Sequence, residues 1–245
     1  MRKRVSGALR PQRATTLTPS DKPTILITGA AGDIGTALAA AFSANYRVVG
    51  LDRSGKTGPV PLIGIDFTSQ ASVERALHEF RDAYGERLAS VIHLAAYFDF
   101  TGEDNPLYRE VNVEGTRRLL RALQGFHVQQ FVYAGTMLVH RAAAPGETIN
   151  EATPLAPKWA YPRSKYEAEE AIRSEHGRIP YVLLHLAGVY DEERCVPTLA
   201  HQIARIYERD FESYLYAGDP DAGQAMLHKA DMVDAFKRTV DRRGA

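Results

Sequence analysis

TGAAGDIG, at Thr28 to Gly35, follows the apolar run TILIT (Thr24–Thr28) and opens an Ala-rich segment that continues through Phe42. An apolar run of that length reads as a buried strand, and the alanine-rich segment as a helix beginning at Asp33 and Ile34. Between them Gly29, Gly32 and Gly35 make a turn without side chains. Backbone N–H groups there can approach a pyrophosphate at the positive end of a helix. A tight structural turn would read the same way, so the context decides. YRVVGL (Tyr46–Leu51) forms the next strand and ends in Asp52, which completes a βαβ unit with an acid where the motif requires one. Asp52 is placed to accept hydrogen bonds from adenosine ribose hydroxyls and to repel a 2′-phosphate, so NAD is favoured. Arg53 beside it keeps NADP open.

The alternation continues beyond this unit. Pro61 to Ile65 reads as a third strand ending at Asp66, which is placed either to touch an adenine amino group or to cap a turn. Ser69 caps a helix whose Val73, Ala76, Leu77, Phe80 and Tyr84 share a face, and Gly85 ends it. ASVIHL (Ala89–Leu94) is a fourth strand. Asn105 and Pro106 start a long helix that runs to Gly125, Gln130 to Ala134 is a fifth strand, a helix opens at Tyr161 and closes near Gly177, and Tyr181 to Leu186 is a sixth strand. Apolar strands alternating with amphipathic helices predict an α/β fold, a Rossmann-type doubly wound parallel sheet covered on both faces. Beyond Val196 the pattern is less regular, with helices expected at Gln202 to Arg209 and Asp231 to Val240 around a turn at Gly218 to Gly223.

The second chemical signal is YPRSK at Tyr161 to Lys165. Residues at i and i+4 are neighbours on a helix, and Pro162 suits its first turn. A phenol is a poor base near neutral pH unless a positive charge favours the phenolate, and Lys165 supplies one. Tyr161 can then exchange a proton with a substrate hydroxyl as hydride leaves its carbon. Alone, Tyr-x-x-x-Lys is common on helix surfaces; with the phosphate loop upstream it becomes a catalytic pair. Thr136, expected just beyond the fifth strand, offers a hydroxyl to orient the substrate oxygen.

Composition sets limits. The 245 residues carry thirty Lys+Arg against thirty Asp+Glu, so no global field favours nucleic acid or an anionic membrane. Cys195 is the sole cysteine, which excludes an intrachain disulfide and a thiolate metal cluster, so no metal site is expected and a reducing, cytoplasmic setting is. No apolar run approaches the roughly 20 residues that span a bilayer. Residues 1–22 are basic, with Arg2, Lys3, Arg4, Arg10, Arg13 and Lys22 against Asp21, and read as a disordered tail; a transit peptide is the alternative.

Taken together, these stretches resemble the extended short-chain dehydrogenase/reductase family of the NAD-dependent epimerase/dehydratase type. TGAAGDIG resembles its cofactor loop, HLAA (His93–Ala96) its fourth-strand motif, VNVEGT (Val111–Thr116) its Asn-containing helix, FVYAGTMLVH (Phe131–His140) its serine-rich strand end, and YPRSK its catalytic motif. The resemblance implies Thr136, Tyr161 and Lys165 as catalytic residues. It places Gly29, Gly32, Asp33, Ile34, Gly35, Asp52, Arg53, Asp66 and Phe67 around the adenine half of NAD. Leu94, Ala95, Ala96 and Asn112 would line the rest, and Lys165 the nicotinamide ribose. It also implies a homodimer through the helices Asn105–Gln124 and Tyr161–Glu175. Residues 23–190 would form the NAD(P)-binding domain, and 191–245 a reduced substrate lobe with LHKADMVDAF (Leu227–Phe236) as the returning helix.

The sequence departs from the family pattern at Ala134 and Gly135, where serines are usual, at His140 in place of a frequent tyrosine, and at His185 in place of a common arginine. His185 reads as a strand histidine, and its presence weakens the expectation of nucleotide-diphosphate recognition. The substrate implied is a small molecule, a sugar nucleotide by resemblance. Tyr97, Phe98 and Phe100 admit an apolar, steroid-like alcohol instead, and the short carboxyl-terminal lobe admits a non-catalytic NAD(P)-binding sensor or scaffold.

Overall fold

The computed structural model describes residues 22–99, 103–144, 146–194, 197–209, 211–214 and 223–243. The basic amino-terminal tail up to residue 21, Phe100, Cys195 and the turn at 218–222 lie outside them. The chain runs β1 (Thr24–Thr28), α1 (Asp33–Phe42), β2 (Arg47–Asp52), β3 (Leu62–Gly64), α2 (Gln70–Tyr84), β4 (Arg87–Leu88) and β5 (Ser90–His93). A π-helical segment (Tyr108–Glu114) leads into α3 (Gly115–Leu123), then β6 (His127–Val128), β7 (Phe131–Thr136), α4 (Ala160–Glu175) and β8 (Tyr181–Leu186). The last part comprises β9 (Gly188–Tyr190), α5 (Pro197–Tyr207), β10 (Met226–His228) and α6 (Lys229–Asp241).

Six strands form one parallel sheet in the order β3-β2-β1-β5-β7-β8. The short strands β4 and β6 pair with each other at one end, and β9 pairs with β10. The order of the large sheet reverses between β1 and β5, and such a switch point opens a crevice at the carboxyl ends of the strands. The sheet is covered on both faces, with its edge strands β3 and β8 only partly buried. One apolar cluster joins β2, β3 and β5 to α2, α3 and α4, and the other joins β1 and β5 to α1 and α6.

Local chemistry accounts for the element boundaries. Ser69 Oγ accepts from the Ser72 N–H at the start of α2, and Gly85 ends that helix at φ +82°. Asn105 Oδ1 accepts from the Leu107 N–H, and the chain is helical from Pro106 onward, as the sequence suggests. The long helix is not uniform, however. Over Tyr108–Glu114 it widens to π geometry, with the Gly115 N–H reaching Glu110 O. Strand β7 runs through Thr136, so Thr136 is its final residue rather than part of the following loop. The helix expected at 202–209 is found earlier, at Pro197–Tyr207, where a proline occupies the first helical position. Among the described residues no helix is long and apolar enough to cross a membrane.

Candidate active site

The residues singled out by sequence gather at the carboxyl edge of the sheet. Gly29 turns the chain at φ +69°, and a Cβ there would lie 3.0 Å from Ala95 N. Gly35 is tighter, since its Cβ would fall 2.2 Å from Gly29 O and 2.7 Å from Ala30 Cα, both fixed backbone atoms. Gly32 instead would meet only Gly29 O at 3.3 Å, so its other side is open. Gly32 caps α1 without any side-chain hydrogen bond, unlike Ser69 on α2. The first-turn N–H groups of α1 therefore have no side-chain cap, which is the condition for holding an anion.

Asp52 closes β2 beside this loop. Its Oδ2 accepts from the Ala31 N–H at 2.8 Å and its Oδ1 from the Arg53 N–H at 2.8 Å, which leaves further lone pairs for hydroxyl donors. Arg53 itself is exposed. Asp33 projects from α1 toward the carboxyl-terminal segment, where it pairs with Lys229 Nζ at 3.0 Å and Arg194 at 3.6 Å; Lys229 also pairs with Asp191. Ile34 packs partly into the second apolar cluster. Asp66 Oδ1 accepts from both the N–H and the hydroxyl of Thr68, and those bonds hold its carboxyl below the usual range. The turn-capping role weighed for Asp66 is thus present. Phe67 is buried against the His93 ring.

His93 is a residue whose role sequence alone left unread. Thr116 donates its hydroxyl to Asn112 O, so it accepts from His93 Nε2–H at 3.0 Å. His93 Nδ1 then accepts from the Thr28 hydroxyl at 2.6 Å, and Thr28 Oγ1 accepts from the Leu94 and Ala95 N–H groups. Burial brings His93 down to about 3, with Lys165 adding to it, so the ring is neutral and locks the ends of β1 and β5 together. Ala96 remains exposed at the edge of the crevice.

Asn112, in the π-helical segment, spends its amide on the protein itself. Both amide hydrogens are taken, by Tyr97 O at 3.1 Å and Ser164 Oγ at 2.9 Å, and its Oδ1 accepts from the Tyr97 N–H at 2.6 Å. Ser164 in turn donates to Tyr161 O. Asn112 therefore braces the start of α4 from behind.

Tyr161 sits in the first turn of α4 with its ring 4.5 Å from that of Phe98 and 6.3 Å from that of Tyr108. Its hydroxyl has no hydrogen-bond partner among the described residues. Burial, with Tyr108 adding to it, pushes the phenol up to about 12. The expectation that Lys165 lowers this phenol is thus not met in the protein by itself, because desolvation prevails. Lys165 is 2% exposed and lies 4.2 Å over the Tyr133 ring. Burial brings its amine down to about 7, against the attraction of Glu169 one turn further along. The Tyr133 hydroxyl beneath it is buried without a partner among the described residues. Thr136 is buried at the end of β7, and its Oγ1 accepts from the Leu138 N–H at 3.3 Å. Leu138 and Trp159, exposed, flank Thr136 and Tyr161 in the chain.

With that geometry in view, comparison with known sequences is decisive. The sequence model of the NAD dependent epimerase/dehydratase family matches residues 25–244. The chain belongs to that family. It is 28% identical over 238 residues to short-chain dehydrogenase/reductase family 42E member 1 of Homo sapiens, covering 88% of this chain and 58% of that protein. It is 29% identical over 128 residues to the decarboxylating sterol-4-alpha-carboxylate 3-dehydrogenase of Schizosaccharomyces pombe, covering 51% of this chain and 35% of that one. Among solved structures, the UDP-glucose 4-epimerase of Thermus thermophilus in complex with NAD superposes with a TM-score of 0.71 at 26% identity. That match covers 89% of this chain and 74% of the epimerase. The chain thus spans a little over half the length of its first curated relatives. As a family member it has the parallel sheet and phosphate-loop geometry expected from its sequence, whereas the roles of individual site residues rest on the arrangement described above.

Proposed function

We propose that this chain binds NAD in the crevice above β1 and β5 and interconverts a carbinol and a carbonyl, with Tyr161 as the acid/base. The pyrophosphate would lie against the backbone of Gly29, Gly32, Asp33, Ile34 and Gly35, and the adenosine ribose against Asp52. The small residues Ala95 and Ala96 leave room for the cofactor along the edge of β5. Lys165, whose ammonium hydrogens are uncommitted among the described residues, would bind ribose hydroxyls. When bound, NAD supplies the hydride acceptor or donor at the reacting carbon.

The residues of the chain do the rest. Thr136 directs its hydroxyl hydrogen, which no described residue accepts, to the substrate oxygen, and Tyr161 takes or returns that oxygen's proton. A phenol near 12 needs added positive charge to act as a base near neutral pH. Protonated Lys165 is one source and the oxidised nicotinamide another. Phe98 and Tyr108 shield the phenol from bulk water, which strengthens both effects.

One observation carries this reading: the uncapped start of α1 follows Thr28, while Tyr161 lies against Phe98 and Lys165 against Tyr133, and Thr28, His93 and Tyr133 stand in register across β1, β5 and β7. A sugar nucleotide is the leading substrate class, in keeping with the Thermus thermophilus epimerase. The exposed Phe98 ring against Tyr161, with Leu138 and Trp159 nearby in sequence, favours an apolar alcohol as the second reading, in keeping with the sterol dehydrogenase. Replacing Tyr161 by Phe is the test. Turnover should fall by roughly 100- to 10,000-fold while NAD affinity stays within a few-fold. A variant as active as the parent would remove Tyr161 from the mechanism. Failure of the parent protein to bind NAD would remove the cofactor assignment itself.

A further inference from the structure

Three titratable side chains that no part of the proposed reaction uses meet between α4, β8 and the turn after β7. His140 Nδ1 lies 3.0 Å from Thr153 O, His140 Nε2 lies 2.7 Å from His185 Nδ1, and His185 Nε2 lies 3.0 Å from Glu169 Oε1. Glu169 is fully buried, and its other oxygen lies 3.4 Å from Arg173. The His185–Glu169 contact is bent rather than a linear hydrogen bond, and neither atom in it has any other hydrogen-bond partner among the described residues. Among the described residues no group of His, Cys, Asp or Glu is placed to hold a metal ion.

Counting donors shows how many hydrogens the three contacts need. A carbonyl oxygen only accepts, so His140 Nδ1 must carry hydrogen. One hydrogen must lie between the two rings, on His140 Nε2 or on His185 Nδ1. If His185 Nε2 were bare it would set a lone pair against a buried carboxylate at 3.0 Å, two unsatisfied acceptors facing each other. A hydrogen in that contact removes the conflict, and the Arg173 guanidinium against the other Glu169 oxygen favours a carboxylate over a carboxylic acid, which puts the hydrogen on His185 Nε2. The pair then holds three hydrogens on four ring nitrogens and one positive charge opposite the Glu169 carboxylate. The shared hydrogen can move from His185 Nδ1 to His140 Nε2 without changing that count.

The site is shaped for this contact. A Cβ on Gly135 would come within 2.8 Å of Glu169 Oε1 and 2.9 Å of His185 Cδ2, so a residue with a side chain in β7 would displace one of them. The other ionisable groups facing Glu169 are Lys165 and Arg173 on α4 and Tyr133 on β7. Tyr161, Lys165, Glu169 and Arg173 follow one another at four-residue spacing on α4, which aligns the acid with the catalytic pair.

We propose that Glu169, His185 and His140 are positioning residues: a one-proton relay whose charge balance sets the protonation state of Lys165 and, through it, the pH at which Tyr161 works. The relay stands on its own geometry, and its link to pH rests on the function proposed above. Replacing Glu169 by Gln supplies an amide N–H to His185 Nε2, so the ring pair no longer requires its third hydrogen. It also removes the negative charge that favours the Lys165 ammonium. Replacing His185 by Gln leaves that negative charge less compensated.

The first experiment counts hydrogens on the two rings by nitrogen-15 imidazole spectra of the full chain without cofactor near neutral pH, assigned with the His185→Gln variant. Three ring hydrogens in the parent and two in Glu169→Gln support the relay, and two in the parent overturn it. The second records NAD-dependent turnover against pH. The alkaline limb should move toward acid by about one unit in Glu169→Gln and toward alkali in His185→Gln. A purely structural role would lower amplitude without moving the limbs. Limbs that stay in place in variants that turn over would overturn the link to Lys165 and leave the role of Tyr161 intact. Absence of NAD binding in the parent would overturn the proposed function, and the ring-hydrogen count would still judge the relay.

Discussion

Lys165 is enclosed with an aromatic face beneath it and no hydrogen bond from its amine among the described residues to soften the loss of water, so its charge should weigh on folding. Its amine is brought from 10.5 to about 7 in the folded protein. Between those values the unfolded chain binds the proton and the folded one does not, so stability rises with pH across that window and is lost as pH falls through 7. Unfolding by urea should therefore require on the order of 2–3 kcal/mol more at about pH 9 than at about pH 7. Lys165→Met should flatten that rise; an unchanged slope would place the titration elsewhere. His93 adds a separate window of the same sign between about 3 and 6.5. At this scale the sequence was legible where chemistry sits at a fixed local spacing, as with Tyr161 and Lys165 or Asp52 at the end of a strand. It was not legible where the contact is tertiary. His140, His185 and Glu169 belong to three separate stretches, and only the packing of α4 against β7 and β8 brings them together.

At the scale of elements, strands and caps were readable because each rests on a few neighbouring residues. Tyr181–Leu186 matches the strand read from its apolar run, and Ser69 and Gly85 bound α2 as turn chemistry dictates. The π-helical widening before α3 has no such signature. It comes with Asn112 reaching two partners at once, the Tyr97 backbone and Ser164, so long-range contacts accompany it. The glycine loop offers a sharper test of element-level reasoning. An alanine Cβ at Gly35 meets backbone atoms of Gly29 and Ala30 that cannot swing aside, so the start of α1 must shift. Gly35→Ala should cost about 1–3 kcal/mol in stability and weaken NAD binding by a larger factor than its stability loss explains. Thermal unfolding measured alongside NAD titration separates the two effects. A variant that binds NAD as the parent does would mean that the loop's close approach is not used.

Across the whole molecule, the carboxyl-terminal helix is built into the amino-terminal half. Met232, Phe236 and Val240 of α6 are fully buried in one cluster with Ile25 and Ile27 of β1 and with Leu38 and Phe42 of α1. Polar contacts reinforce this closure: Tyr46 donates its hydroxyl to Asp241, Arg243 donates to Tyr46, and Lys229 holds Asp33 at the opening of α1. The sequence placed a helix here without indicating which layer it covers, since an amphipathic pattern names a buried face and not its partner. Because β1 lies at the centre of the sheet, loosening α6 should loosen the phosphate loop that follows β1. Phe236→Ala should cost about 3–5 kcal/mol, in keeping with removal of a fully buried aromatic ring. It should also raise hydrogen exchange at the Thr28–Gly35 amides, although no atom of Phe236 belongs to that loop. If exchange rose only within α6 and not in β1 and the loop, α6 would be an independent cover over a core that stands without it, and the cofactor crevice would owe nothing to the last helix.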